Sequence, residues 1–289
     1  MKTLLLVDAN ALIHRFFHAL PPLTTPDNQP IGAIYGLCGI LLKIFREIKP
    51  DYVAAAIDHP APTFRDEIFK EYKIHRPPTA DELVSQLKRL KEVFGQFGVA
   101  VVEEPGFEAD DLIGTLAEKF KQPKDLKVVI LSGDNDLLQL VDDKNNVVAQ
   151  LIKTGLSETI TYDEKGVEEK YGLKPAQIPD YKGLVGDASD NIPGVRGVGP
   201  KTAQPLIKEW GSVEELFNSL GIIPEKTAKK FAGQKDVALL SKKLATIRRD
   251  APAPVTLEDL QARPLDKTEL SAYFTKLGFR TLVERLGKQ

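Results

Sequence analysis

TLLLVDAN, residues 3–10, decides the fold. From Thr3 to Val7 the chain is a near-continuous apolar run, and it stops at Asp8. A short run without alternation suits a strand buried on both faces, as in a parallel sheet covered by helices. The pattern returns at 52–57 (YVAAAI), which stops at Asp58, at 99–102, and at 127–131 (KVVIL), which leads into Ser132-Gly133-Asp134. Between these runs, residues 34–48, 80–97 and 110–120 carry apolar residues at helical spacing. Strands alternating with helices predict an α/β fold with a parallel, doubly wound sheet whose strand ends share one edge. After about Tyr171 the strand signals fade, and short helical segments separated by Gly and Pro run to the C-terminus. An α/β domain is therefore expected over 1–171 and a helical one over 172–289.

The composition is that of a water-soluble chain of 289 residues, with 42% hydrophobic and 28% charged. No apolar run approaches the roughly 20 residues that span a bilayer. The opening MKTLLLVDAN has one Lys and a short apolar stretch ended by Asp, so it reads as a buried first strand and not as a signal peptide. The single cysteine, Cys38, excludes an internal disulfide and a Cys-based zinc site, and a cytoplasmic location is expected. The net charge of −2 hides a polarity. Residues 103–143 hold eleven acids against four bases (net −7), and residues 194–249 hold eleven bases against five acids (net +6). An acidic centre beside a basic half suits a protein that holds cations in one place and phosphates in another.

Asp8 and Asp58 follow apolar strands, and Asp134 and Asp136 follow a third. In open α/β sheets ligands bind outside the carboxyl ends of the strands. Glu108, Asp110 and Asp111 open a helix after Pro105-Gly106, and Asp187 and Asp190 lie in GDASDN. Singly, each is as well explained by a helix cap or a turn. Collectively they are not. Two like charges ~4 Å apart repel by roughly 4 kcal/mol at an effective dielectric of 20, so several such pairs would rival the ~5–15 kcal/mol stability of a domain. Protonation or bound cations must relieve that repulsion. Oxygen ligands favour Mg²⁺ or Mn²⁺ over Zn²⁺, and two such ions are suited to phosphodiester hydrolysis.

Two further stretches point to phosphate. GVRGVGPKTA, residues 194–203, has Gly197 and Gly199 for close backbone approach, Pro200 to start a helix, and Lys201 and Thr202 to add a charge and a hydroxyl. It looks like a helix-hairpin-helix, which grips a DNA backbone without reading bases, and it lacks the ending of a nucleotide-binding P-loop. TFRDEIFKEYKIHR, residues 63–76, sets Arg65, Lys73 and Arg76 among aromatics that include Tyr72. If helical, Lys73 and Arg76 share a face, and basic groups beside an aromatic suit a single strand.

Together these motifs resemble the 5′-nuclease domain of bacterial DNA polymerase I, in the flap endonuclease superfamily. The likeness runs over nearly the whole chain: LLLVDANALIHRFFHALP, IDHPAPTFRDEIFKEYKIHRPP, PGFEADDLIGTLA, ILSGDNDLLQLV, GLVGDASDNIPGVRGVGPKTA and the closing LSAYFTKLGFRTLVERL. It implies a PIN-like nuclease core with a helical arch at about 59–83, then a helix–three-turn–helix domain. It also implies two Mg²⁺ or Mn²⁺ ions, the first served by Asp8, Asp58, Glu108 and Asp110 with Asp111 nearby, the second by Asp134, Asp136, Asp187 and Asp190. Lys73 and Arg76 would polarise the scissile phosphate, while Arg15, Arg65 and Tyr72 would position the strand. Gly197, Gly199, Lys201 and Thr202 would grip duplex DNA, where the family also binds K⁺ through carbonyls. The implied partners are flap DNA and RNA–DNA primer junctions, acted on by a monomer that either stands alone or adjoins a polymerase part. One departure stands out: Pro205 falls inside the helix after the hairpin, where a kink is expected. Two other readings compete, an RNA-directed nuclease of the wider PIN-like class and a non-catalytic module for branched DNA. The hairpin and the basic half favour duplex DNA over the first, and the full acidic set favours catalysis over the second.

Overall fold

The computed structural model describes residues 1–121, 125–153 and 158–287. Its sheet is ordered β3-β2-β1-β4-β5-β6, from β1 Lys2–Asp8, β2 Tyr52–Ala56, β3 Ala100–Val102, β4 Leu126–Ser132, β5 Val147–Ile152 and β6 Thr159–Tyr162. The first five are parallel to their neighbours, and β6 returns antiparallel on β5. β5 and β6 go beyond the sequence expectation. Gln150 interrupts the apolar run of β5, and β6 is an edge strand of half-exposed and exposed residues, so neither shows the pattern of a doubly buried strand.

Alternation along β1 builds two cores. Leu5 and Val7 face one cluster and Leu4 and Leu6 the other. Helices Ala9–Ala19 and Gly32–Ile48 cover the first face, the former contributing Leu12, Ile13 and Phe16. Helix Ala109–Phe120 covers the second with Leu112, Ile113 and Leu116. The helix expected over 80–97 is divided into Asp81–Leu87 and Leu90–Gln96 by a turn at Lys88 and Arg89.

The helical half is also divided. Helices Ile178–Val185, Pro200–Trp210, Val213–Asn218 and Lys235–Ala245 surround their own core, which includes Leu184, Val198, Ile207, Leu216 and Phe231. Beyond Ala245 the chain leaves that core. Ile247, Ala251 and Leu260 join the second face of the sheet, and Ala262 N–H donates to the Asp51 carbonyl (2.9 Å). Helices Lys267–Lys276 and Arg280–Gly287 then place Leu270, Phe274 and Leu282 in the first core. Within the half expected to be helical, 172–289, the last helices thus bury their apolar faces on the α/β core. Among the described residues no helix is long and apolar enough to cross a membrane.

Candidate active site

Strand register levels the acidic ends. Asp8 pairs with Ala56 of β2, and Val7 with Leu131 of β4. Asp58 and Asp134 lie just past those partners, so three carboxylates reach one edge. The strand order reverses between β1 and β4, the topological switch point where open α/β sheets bind ligands. Asp8 and Asp134 flank it.

Local hydrogen bonds fix each group. Asp8 caps the helix that follows it, accepting from Ala11 N–H (3.0 Å) and from the Ser132 hydroxyl (2.5 Å). Ser132 in turn accepts from Asp134 N–H (2.9 Å), and Asp134 accepts from Asp136 N–H (2.9 Å). Asp58 accepts from Ala109 N–H (2.7 Å) and so caps helix Ala109–Phe120, while Asn10 accepts its own N–H (3.0 Å). Asp58 therefore ties β2 to the helix that carries Asp110.

The electrostatics agree with this convergence. Burial pushes the Asp8 carboxyl up to about 7, aided by the charges of Asp134 and Asp58 and opposed by its hydrogen bonds. Burial, then Asp8, Asp134, Glu108 and Asp58, push Asp110 well above its ordinary range. Burial and Asp134 raise Asp136 to about 6 against the pull of Lys182. Asp187 goes the other way: burial raises it, but hydrogen bonds from Lys182 and Ser189 outweigh this and hold it low.

Basic groups face the acids. Lys73 donates to Glu108 (2.7 Å), and Arg76 pairs with Asp190. They do not share a helix, because the basic stretch is helical only over Phe64–Ile68. Lys73 has a left-handed φ of 55° within a run of turns. That run is fastened to the 187–192 hairpin by Lys73 N–H to the Asp190 carbonyl (2.9 Å) and Asn191 to the Glu71 carbonyl (2.7 Å). Arg15 donates to the Lys153 carbonyl (2.7 Å), with its stem against Gly133.

Three of the expected site residues are held by contacts inside the protein. Asp111, placed near the first ion by resemblance, is 0% exposed. Arg65, expected to position the strand, is 3% exposed and forms a two-pronged pair with Asp111 at 2.7 and 2.9 Å. Asp111 also accepts from the N–H groups of Glu108 (3.1 Å) and Arg248 (2.8 Å). The pair braces the interior, and Arg65 also lies 3.6 Å from the Glu108 carboxylate. The Tyr72 ring, expected beside a base, packs among Ile192, Leu244 and Ala245, and its hydroxyl bridges Glu108 (3.3 Å) and Asp190 (3.1 Å). Sequence reasoning missed Ser132, Asn10 and Lys182. The first two lie inside quoted motifs, but nothing local marks Lys182, which pairs with Asp136 and with Asp187 (2.6 Å).

At the hairpin, Gly197 has a φ of +79°, while Gly199 is extended and serves as N-cap of helix Pro200–Trp210. The steric demand falls on Gly194 (φ +63°), where a Cβ would meet Gly186 N at 2.3 Å. Gln234 clamps the turn, accepting from Arg196 N–H (2.8 Å) and donating to its carbonyl (3.2 Å). Lys201 is exposed and Thr202 half-buried. The helix is unbroken across Pro205, which lies on its exposed side.

Oxygen donors alone make up the acidic set, and their mutual repulsion is what a divalent cation would relieve, so the residues fit hard ions. Among the described residues no three carboxylates meet at a single ion-sized point, because several are turned onto Ser132, Lys73, Arg76 and Lys182.

Carboxylates at the switch point of a mainly parallel sheet covered by helices, followed by a helical half with a glycine turn, define the class as an open α/β protein with an acidic strand-end site. Comparison with known proteins makes this specific. Residues 3–172 match the family described as 5′-3′ exonuclease, N-terminal resolvase-like domain, and residues 173–268 match 5′-3′ exonuclease, C-terminal SAM fold. The 5′-3′ exonuclease of Aquifex aeolicus is 39% identical over 289 residues, covering 100% of this chain and 96% of that protein. DNA polymerase I of Caldicellulosiruptor bescii is 43% identical over 286 residues, covering 98% of this chain and 33% of that protein. The chain thus spans about a third of the length of that polymerase. Among solved structures, the flap endonuclease of bacteriophage T5, in a complex with DNA and metal ions, superposes with a TM-score of 0.69 at 20% identity and covers 100% of both chains. The chain belongs to the 5′-3′ exonuclease family.

Proposed function

We propose that this protein is a structure-specific 5′ nuclease that hydrolyses phosphodiester bonds of branched DNA and of primer strands, leaving 5′-phosphate ends. The observation that carries the reading is the strand register that brings Asp8, Asp58 and Asp134 to one edge at the switch point, where Asp58 also caps the helix that carries Asp110, with Lys73 paired to Glu108 and Arg76 to Asp190. Asp8, Asp58, Glu108 and Asp110 would hold a first Mg²⁺ or Mn²⁺, and Asp134, Asp136, Asp187 and Asp190 a second. Bound there, the two ions would activate a water and stabilise the leaving oxygen. Lys73 and Arg76 hold the scissile phosphate once they let go of Glu108 and Asp190. Arg15 steers the strand past Gly133. The Gly197–Gly199 turn, Lys201 and Thr202 hold duplex backbone, and the turn's carbonyls would take a K⁺ ion. The protein acts as a monomer in the cytoplasm, on flaps and on RNA–DNA primer junctions of the nucleoid. The likeness to a stand-alone exonuclease over its whole length and to one third of a polymerase supports both a free nuclease and a nuclease joined to a polymerase.

The test is cleavage of a 5′-labelled flap DNA with Mg²⁺ and with EDTA, beside a plain single-stranded RNA of equal length. Magnesium-dependent cutting near the flap junction, with the RNA cut far more slowly, is expected. Faster RNA cutting would instead favour an RNA-directed nuclease. Flap binding without cutting at any Mg²⁺ concentration would favour a binding module.

A further inference from the structure

Lys182 stands between two carboxylates that come from different parts of the chain. Asp136 opens the turn after β4, and Asp187 follows the helix Ile178–Val185 that carries the lysine itself. The ammonium is paired with Asp136 and lies 2.6 Å from Asp187. Its side chain is only 15% exposed, so it is not a solvated surface lysine that happens to swing past. Lys73 and Arg76 each pair with one carboxylate of the site, whereas Lys182 bridges two. Both belong to the group assigned above to the second ion, and the inference rests on that assignment.

A lysine ammonium is a compact point charge with three donors. Placed between two carboxylates, it supplies part of the neutralisation that a divalent ion would supply and does so from the same oxygens. Ion and ammonium repel each other, so the ion enters only by displacing the ammonium or by sharing its ligands. We propose that Lys182 is a built-in counter-cation of the second ion group. It holds Asp136 and Asp187 together and keeps the affinity of the second ion well below that of the first. Lys182 is thus a positioning residue acting through Asp136 and Asp187.

The experiment is Mn²⁺ binding to the full chain by calorimetry and by the electron paramagnetic resonance of free Mn²⁺, in the wild type, Lys182→Met, Lys182→Gln and Lys182→Arg. The wild type should bind one ion tightly and one weakly. Both neutral variants should strengthen the weak ion by about tenfold or more and leave the tight one unchanged, and Lys182→Arg should keep it weak. Without ions, Lys182→Met should melt below the wild type, and saturating Mn²⁺ should close the gap. If Lys182→Met does not fold without ions, Lys182→Gln, which keeps a donor for one carboxylate, decides the titration. A second-ion affinity that is unchanged or weakened in the neutral variants overturns the proposal and leaves the two-ion reading standing. A wild type that binds no Mn²⁺ overturns both.

Discussion

Arg65 and Asp111 face each other in the interior, joined by two parallel hydrogen bonds of 2.7 and 2.9 Å. Arg65 also donates to the carbonyls of Leu244 (2.9 Å) and Thr246 (3.1 Å), and Asp111 accepts from Arg248 N–H. The pair therefore joins the basic stretch, the helix that carries Asp110, and the segment that leads back from the helical half to the sheet. Removing one partner leaves an uncompensated buried charge, which costs about 3–5 kcal/mol. Asp111→Ala and Arg65→Ala should each lose that much in urea unfolding, with or without Mg²⁺. A near-wild-type urea midpoint for Asp111→Ala, coupled with weaker Mg²⁺ binding, would return Asp111 to the ion site.

Asp134 is exposed, and its N–H donates to Ser132 while its carboxylate accepts from Asp136 N–H. Asp134→Ala should slow flap cleavage by about a thousandfold, the equivalent of ~4 kcal/mol of lost charge stabilisation. Flap binding, measured by fluorescence anisotropy in Ca²⁺, should stay measurable. Unchanged cleavage would remove Asp134 from the reacting centre.

Magnesium should stabilise the protein, and more so as pH rises. Burial raises the Asp8 carboxyl from 3.8 to about 7. Between those values the native state keeps a proton that the unfolded chain has released, so without ions stability falls as pH rises through the window and the loss is complete above about 7. Asp110 and Asp136 shift in the same direction. Cations bind the deprotonated carboxylates and offset that loss. The rise in Tm caused by millimolar Mg²⁺ should therefore be larger at a pH of about 8 than at about 5.5. A rise independent of pH would mean that the raised carboxylates are not the ones that bind the ion.

Two hairpin glycines should separate stability from grip. Gly194→Ala adds a left-handed penalty of ~1–2 kcal/mol and a clash with Gly186 worth ~1–3 kcal/mol, so it should unfold far more readily than the wild type. Gly197 also has a positive φ but open space around its Cβ position, so Gly197→Ala should cost only the ~1–2 kcal/mol conformational penalty while weakening duplex binding. Equal loss of stability in both variants would contradict the close approach at Gly186. Lys201→Ala should weaken binding to all sequences alike and lower the salt dependence of duplex binding by about one unit of slope.

The sequence by itself determined the elements whose signal is local. Strands covered by helices read as apolar runs, so β1, β2, β3 and β4 and the acids that follow them were legible. So was the hairpin, where Pro200 does start the helix. The tertiary structure alone decided which side chains meet. Arg65 finds Asp111 46 residues away, and that partner turns a cation suited to DNA into an interior brace. Tyr72 faces the core because Ile192, Leu244 and Ala245 pack around it. The last two helices show ordinary amphipathic spacing, which cannot say which core will receive them, and the α/β core does. Lys182 has the weakest local mark of all, since its place between Asp136 and Asp187 depends on one helix docking beside the turn after β4. Periodicity tells a residue which way to face, while burial and charge partners depend on segments far apart in the chain. The acids could therefore be named from the sequence, but the cations that hold them had to await the fold.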